Sequence, residues 1–434
     1  MYYKITPSNH FSGNVKIPGS KSGTARGLII GTLAEGVSRI QNPLPGIDSY
    51  SIVDCCRALG TKIDVSSEDE WVVEGVGFQN LKPPASVLNV GNSGTGYYFL
   101  STLISTIPGK TIITGDYQIC YRPIAPLLRA IRQMGGKAVS SRDNELAPLM
   151  IEGPIKGGHT LEMPGKNVQW SIGLMVCCPL LEGDTVIKFD HLGELPYAKL
   201  TLDWMKSAGV EILNHDFEEF IIPGGQTYHA FTKKAPSDWC GASYPLVAAA
   251  ITKGSRIKLL DMDVNDFQGE RHYVDWLRQM GGHVEVLNDG KDGVIIEGGH
   301  ELHGIEIDCG DTPDAVPALA VLGCYAQGKT VLKNIDACRM KETDRAKTIV
   351  EELTKMGGHF EEDEHSLTIY HSDLHGATLN GHHDHRIVMA STVAALIADG
   401  ETLIDSAETV GVSFPRFYEE MTGMGAKIVR LVET

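Results

Sequence analysis

The chain is short of positive charge, of aromatic residues and of long apolar runs. Lys and Arg number 38 against 55 Asp and Glu, a formal net charge of -17. A wide basic face is therefore missing, which argues against nucleic acid or an anionic membrane as partner. Any anion must be held locally. Aromatics make up only 7% of the residues. The longest apolar run, Ile172 to Leu181, is about half of the roughly 20 residues of a membrane span, and "MYYKITPSNHFSG" at the start has no apolar signal core. A cytoplasmic protein, or the mature part of an organellar one, is expected. No C-x-x-C occurs among the nine cysteines; the adjacent pairs Cys55-Cys56 and Cys177-Cys178 read as buried free thiols.

What is present is a globular composition, 42% hydrophobic and 21% charged over 434 residues. That length suits two domains better than one core. A repeat organises them. Helix-like segments ending in Gly and entering a β-prone run place Gly60, Gly135, Gly209, Gly281, Gly357 and Gly425 at intervals of 68–76 residues. A second set of small-residue-Gly turns, at Gly36, Gly109, Gly183, Gly254, Gly328 and Gly400, recurs every 71–74 residues. Two landmarks sharing one period indicate six copies of an α/β unit of about 70 residues, three per domain. The glycines fit helix C-caps, where a left-handed backbone is needed.

Ahead of each glycine of the second set runs an apolar helix whose first turn carries polar residues. The six starts hold Lys21, Ser22 and Arg26; "GNSGT" (Gly91 to Thr95); Gln169; "PSDW"; Asp314; and "DHR" (Asp384 to Arg386). Helix N-termini carry unpaired N–H groups and roughly half a positive charge, so they attract anions. Singly, Ser22, Thr95 or Asp314 would be N-caps. Lys21, Arg26 and Arg386 are misplaced at positive helix ends unless an anion sits among them. Arg122 stands in the loop "GDYQICYRPI", and "RMKETDR" packs Arg339, Lys341, Glu342, Asp344 and Arg345 together, either as a solvated ion-paired face or as part of a site. "GHHDHR" holds three histidines, but adjacent histidines at a helix start diverge and no His/Cys/Asp/Glu group shows ligand spacing; no metal site is expected.

The motifs "PGSKSGTAR", "GNSGT", "GDYQICYRP", "PSDW-GASY", "PDA", "RMKETDR" and "DHR", in that order, make the chain resemble the enolpyruvyl transferases, in particular the 5-enolpyruvylshikimate-3-phosphate synthase family, over nearly its whole length. The resemblance implies an α/β (α+β) fold of two domains, each of three βαβαββ units about a pseudo-threefold axis, an inside-out barrel. Its domains would be residues 18–236, and 1–17 with 237–434, joined by two crossover strands. It implies transfer of the enolpyruvyl group of phosphoenolpyruvate to a hydroxyl of shikimate 3-phosphate with release of phosphate, by a monomer that needs no metal or organic cofactor. Carried over by position, Lys21, Gly94, Arg122, Arg345 and Arg386 would hold phosphoenolpyruvate. Lys21, Asp314, Glu342 and His385 would be catalytic, Lys21 as a candidate acid because neighbouring cations can lower a lysine pKa. Ser22, Arg26, Asn167, Gln169, Glu194, Tyr197, Asp314 and Lys341 would meet the acceptor.

The sequence also departs from the family pattern. Asn167-Val168-Gln169 replaces a serine-bearing triplet, Glu194 stands where a serine is usual, and Tyr98 and Val412 replace basic residues. A carboxylate beside the acceptor's phosphate would repel it. These positions leave open a specialised relative acting on an unphosphorylated or amine-bearing cyclic alcohol. The related UDP-N-acetylglucosamine enolpyruvyl transferases carry a loop cysteine where this chain has Tyr117, Cys120 being out of register. A non-catalytic binding protein would be expected to have lost Asp314 and Glu342.

Overall fold

The computed structural model describes residues 1–432. The chain divides at Pro18/Gly19 and again at Ala235/Pro236, giving one compact unit from Gly19–Ala235 and another from Met1–Pro18 with the chain from Pro236 on.

Each unit contains three four-stranded sheets, and all six sheets have one pattern: a parallel pair, then two antiparallel pairs. Residues 88–153, 160–222 and 306–370 each complete a sheet from contiguous sequence in the order βαβαββ. The other three borrow a strand. Thr232–Lys234 lies parallel to Glu35–Gln41 and closes the first unit. Ser12–Lys16 lies parallel to Arg256–Leu260, and Tyr2–Thr6 runs antiparallel to both Thr402–Ile404 and Lys427–Leu431. The first residues of the chain are therefore structural parts of the unit built by its second half.

The sheets stay open, and among the described residues none closes into a barrel. The inside-out character lies in the helices. All twelve residues of Trp239–Ala250 and all eleven of His385–Ala395 are buried, as a helix apolar on every side must be. With Val316–Tyr325 these two helices pack pairwise at the centre of their unit. In the other unit Gly94–Thr106 packs on both Lys21–Leu33 and Gln169–Cys177. Strands around them alternate buried and partly exposed positions, as Ser366–Tyr370 does, with one face on the helices and one outward.

All twelve turn glycines have positive φ, +77° to +113°, which explains the residue type and its period. The N-caps stand slightly earlier than Ser22 and Thr95, and Asp314 lies in a short turn whose following helix has no side-chain cap. Ser20, Ser93, Asp238 and Asp384 cap the central helices, each accepting from a backbone N–H two or three residues on. All nine cysteines are free and eight are buried. Burial pushes the Cys56 and Cys178 thiols up to about 12, which leaves them unreactive at neutral pH.

A further periodic contact holds helices to sheets. Gly75, Gly153, Gly224 and Gly298 lie within two residues of a strand end in four sheets, where an added Cβ would stand 2.0–2.5 Å from carbonyl oxygens near a central helix's C-terminal end. Backbone has no room to yield there. Gly298→Ala, which meets the Ala249 and Thr252 carbonyls, is expected to lower the unfolding free energy by about 2–3 kcal/mol in urea titration. Gly423→Ala, in a helix with nothing within 4 Å, should leave it unchanged or raise it by up to about 1 kcal/mol.

Candidate functional site

Each unit gathers its polar residues at the first turns of its central helices. In the unit that contains Asp314, the gathering point is Arg345, the first residue of helix Arg345–Lys355. Its Nε donates to Asp384 Oδ2 (2.8 Å), Nη1 to Asp314 Oδ1 (2.7 Å), and Nη2 to Glu342 and to Asp384 Oδ1 (3.1 Å). Three carboxylates from three segments thus share one buried guanidinium. Arg386 adds a second, its Nη2 donating to Asp314 Oδ2 at 3.1 Å. Asp384 also caps its own helix through Arg386 N (3.0 Å) and accepts from the Thr343 hydroxyl (3.0 Å). His385 is buried beside it, Nδ1 lying 3.9 Å from Asp384 Oδ1.

Burial alone would raise the Asp314 carboxyl, but Arg386, Lys341 and Arg345 hold it well below the usual carboxylate range. Asp314 is ionised at any working pH. Burial likewise disfavours the Arg345 cation, and Asp384, Glu342 and Asp314 overcome it. Among the described residues, buried Nε and Nη1 of Arg386 have no hydrogen-bond partner. Such donors are costly when unmet, and a planar carboxylate or a phosphate would meet them.

The stretch "RMKETDR" is both of the things it could be. Arg339 makes a peripheral ion pair with Asp344 and Glu362, while Glu342 and Arg345 turn inward. Asp344 serves as the N-cap that starts the helix at Arg345.

In the other unit Lys21 Nζ lies 3.2 Å from Asp48 Oδ2. Arg26 is fully buried, donating to Thr201 Oγ1 (2.8 Å) and to the carbonyls of Ser22 (2.9 Å) and Tyr197 (3.1 Å), beneath the Phe99 ring at 5.6 Å. Burial lowers its pKa to about 9, still cationic at neutral pH. These contacts correct the argument that Lys21, Arg26 and Arg386 need an external anion for balance. Asp48, backbone carbonyls and Asp314 each supply part of it.

Gly94 and Arg122 are brought together because two loops are clamped. Asn92 Nδ2 donates to Asp116 Oδ2 (2.7 Å), Asp116 N to the Gly91 carbonyl (2.8 Å), and Ile119 N to Asp116 Oδ1 (3.0 Å). A Cβ on Gly94 would sit 3.5 Å from the Arg122 guanidinium carbon. Tyr98 does structural work instead of carrying charge: its hydroxyl and Trp170 Nε1 both donate to the carbonyl of Pro123, next to Arg122.

Asn167 Oδ1 accepts from Gln169 N (2.9 Å), and Gln169 Oε1 is buried without a partner. Glu194 is buried, with left-handed backbone (φ +55°), at the head of helix Leu195–Ser207, and its carbonyl accepts from Tyr197 N at 3.0 Å.

Sequence reasoning missed three partners. Asp48, in the first turn of Ile47–Ala58, belongs to none of the motifs, and Asp384 was seen only as the head of "DHR". Glu270, in a short turn, is brought to Asp314 and Cys240, the three offering atoms within 4.8 Å of one another. Burial first, then the Asp314 charge, push the Glu270 carboxyl up to about 7.

Six four-stranded sheets of one pattern in two groups of three, with cations and carboxylates at the inner helix starts, define an enolpyruvyl transferase. The family model of EPSP synthase (3-phosphoshikimate 1-carboxyvinyltransferase) matches residues 5–421, so the chain belongs to that family. The 3-phosphoshikimate 1-carboxyvinyltransferase of Acetivibrio thermocellus is 44% identical over 96% of this chain and 97% of its own. That of Methanocaldococcus jannaschii is 40% identical, covering 98% of both. The solved EPSP synthase of Acinetobacter baumannii superposes with a TM-score of 0.84 at 28% identity, over 99% of this chain and 100% of its own. The enolpyruvyl transferase NikO of Streptomyces tendae shares the fold, with a TM-score of 0.78 at 18% identity over 99% and 98% of the two chains.

Glu270 provides a test of the buried charges. Its folded pKa of about 7 lies above the usual 4.5, so the folded chain binds the extra proton in that window and stability falls as pH rises through it. Glu270→Gln removes the ionisation. Relative to wild type, its unfolding free energy should gain about 3 kcal/mol between pH 4 and pH 8; a difference that does not vary with pH would contradict the assignment.

Proposed function

We propose that this enzyme transfers the enolpyruvyl group of phosphoenolpyruvate to a hydroxyl of shikimate 3-phosphate and releases inorganic phosphate, as its named relatives do. The observation that carries the reading is the Arg345–Arg386 pair, which holds ionised Asp314 against Glu342 and leaves two buried guanidinium nitrogens of Arg386 without a hydrogen-bond partner among the described residues. Two cations for an anionic substrate, with two carboxylates beside them, suit addition and elimination at an enol phosphate.

The acceptor hydroxyl must lose a proton as its oxygen attacks the central carbon of phosphoenolpyruvate, and the methylene carbon must gain one. The resulting tetrahedral intermediate then loses a methyl proton and expels phosphate, restoring the double bond. Asp314 and Glu342 are the proton-transfer carboxylates: Asp314, held ionised, accepts from the acceptor hydroxyl and orients it, and Glu342 exchanges a proton at the methyl carbon. Lys21 acts as the acid, and its pairing with Asp48 keeps the ammonium oriented. Lys21, Gly94, Arg122, Arg345 and Arg386 bind phosphoenolpyruvate, and His385 adds a hydrogen bond at the same centre. Ser22, Arg26, Asn167, Gln169, Glu194, Tyr197, Asp314 and Lys341 serve the acceptor, with the buried Gln169 Oε1 available to a hydroxyl donor. The domains act as residues 18–236, and 1–17 with 237–434, in a cytoplasmic monomer; no helix of the described residues is long and apolar enough to cross a membrane.

Relatives at about 40% identity favour the phosphorylated acceptor over a specialised one. In a phosphate-release assay, shikimate 3-phosphate should be turned over efficiently and shikimate at least about 100-fold less well in kcat/KM, since unmet phosphate contacts cost several kcal/mol. Equal use of shikimate would overturn the acceptor assignment. Glu342→Gln should lower kcat by about 10²–10⁴ with little change in KM. Full activity in that variant would remove Glu342 from the proton transfers.

A further inference from the structure

We propose that His283, Glu297 and His300 form a surface site for one divalent transition-metal ion of the Zn²⁺ type. His283 and Glu297 belong to the sheet made by Ser12–Lys16, Arg256–Leu260, His283–Val286 and Gly293–Glu297, and His300 follows it, all apart from the residues assigned to catalysis. His283 and Glu297 are register partners on adjacent antiparallel strands, so the ladder sets their side chains on one face. Gly298 and Gly299 then turn the chain, Gly299 at φ +101°, and bring His300 back over the same edge. The two imidazoles stack at 5.7 Å between centroids and 19° between planes.

One atom from each of the three side chains lies within 4.8 Å of the other two. Tetrahedral zinc, with nitrogen and oxygen ligands at about 2.0–2.2 Å, spaces them by roughly 3.4 Å. The contraction required is about an ångström or a little more, within reach of side-chain rotation where the two histidines are exposed. Two neutral imidazoles and one carboxylate are a borderline donor set that selects zinc-like ions over magnesium or calcium and leaves the fourth position to water. The carboxylate is already oriented: Glu297 Oε1 accepts from Arg256 Nε at 2.9 Å, leaving Oε2 facing His283 Nε2 at 3.9 Å. Such an outer hydrogen bond is how ligating carboxylates are held. The buried Cys240–Glu270–Asp314 group differs, because Asp314 is already taken by Arg345 and Arg386.

The test is titration of the metal-stripped full chain with Zn²⁺, by calorimetry and by competition with a chelating dye. One Zn²⁺ per chain is expected, weakened in His283→Asn, in His300→Asn and in Glu297→Gln by at least the roughly 10–100-fold that loss of an outer-shell partner costs. Co²⁺ should give the visible bands of a four-coordinate site in wild type and not in the double histidine variant. His382→Asn, which alters the histidine paired with Glu352, should bind as wild type does. Turnover and circular dichroism should be unchanged throughout, separating this site from the catalytic reading. Unaltered binding in the double variant, loss of binding in His382→Asn, or no binding by wild type below millimolar Zn²⁺ would each overturn the proposal.

Discussion

When a helix is wrapped by packing on every side, its flanks have no room for a charged group, and only its ends can meet a ligand. That constraint shapes this enzyme. Trp239–Ala250 and His385–Ala395 are buried along their whole length, so polar function is confined to first turns and to the loops that lead into them. Asp238 and Asp384 cap those turns, Arg386 follows one of them, and Asp314 lies in the short turn before a third. Six small sheets then cover the helices with one face each and give the outer face to water.

Within that frame one guanidinium does the joining. Arg345 binds Asp314, Glu342 and Asp384, which come from three separate segments of the chain. A buried ion cluster of this kind contributes little net stability compared with apolar packing, but losing one member strands the others. Its value lies in setting protonation. Asp314 is held ionised by its cations, while Glu270, close by, is pushed up to about 7 by burial and by Asp314 itself. Neighbouring carboxyls driven in opposite directions are a usual mark of acid–base sites.

The repeat was legible because it is written in backbone requirements. Positive φ demands glycine, and two series of six such glycines recur every 68–76 and 71–74 residues. The motif residues were legible for a related reason, since each lies at a helix start or in the loop before one. The N-caps were misplaced by a residue or two, because several small polar residues crowd each start and only backbone geometry selects Ser20 over Ser22. The two roles of "RMKETDR" could not be separated in sequence: a single turn sends Arg339 outward and Arg345 inward. Tyr98 read as a lost cation, yet with Trp170 it anchors the loop that carries Arg122.

The sequence by itself determined the six-fold α/β repeat, the family and the residue types at each helix start, because helix caps, turns and apolar periods are local. Tertiary structure alone decided which charges meet. Lys21 with Asp48, Arg345 with Asp384 and Asp314, and His283 with Glu297 and His300 are pairings made by helix packing and strand register between positions from 14 to 39 residues apart. Coulomb energies and ligand geometry depend on ångströms, and spacing along the chain does not carry that information.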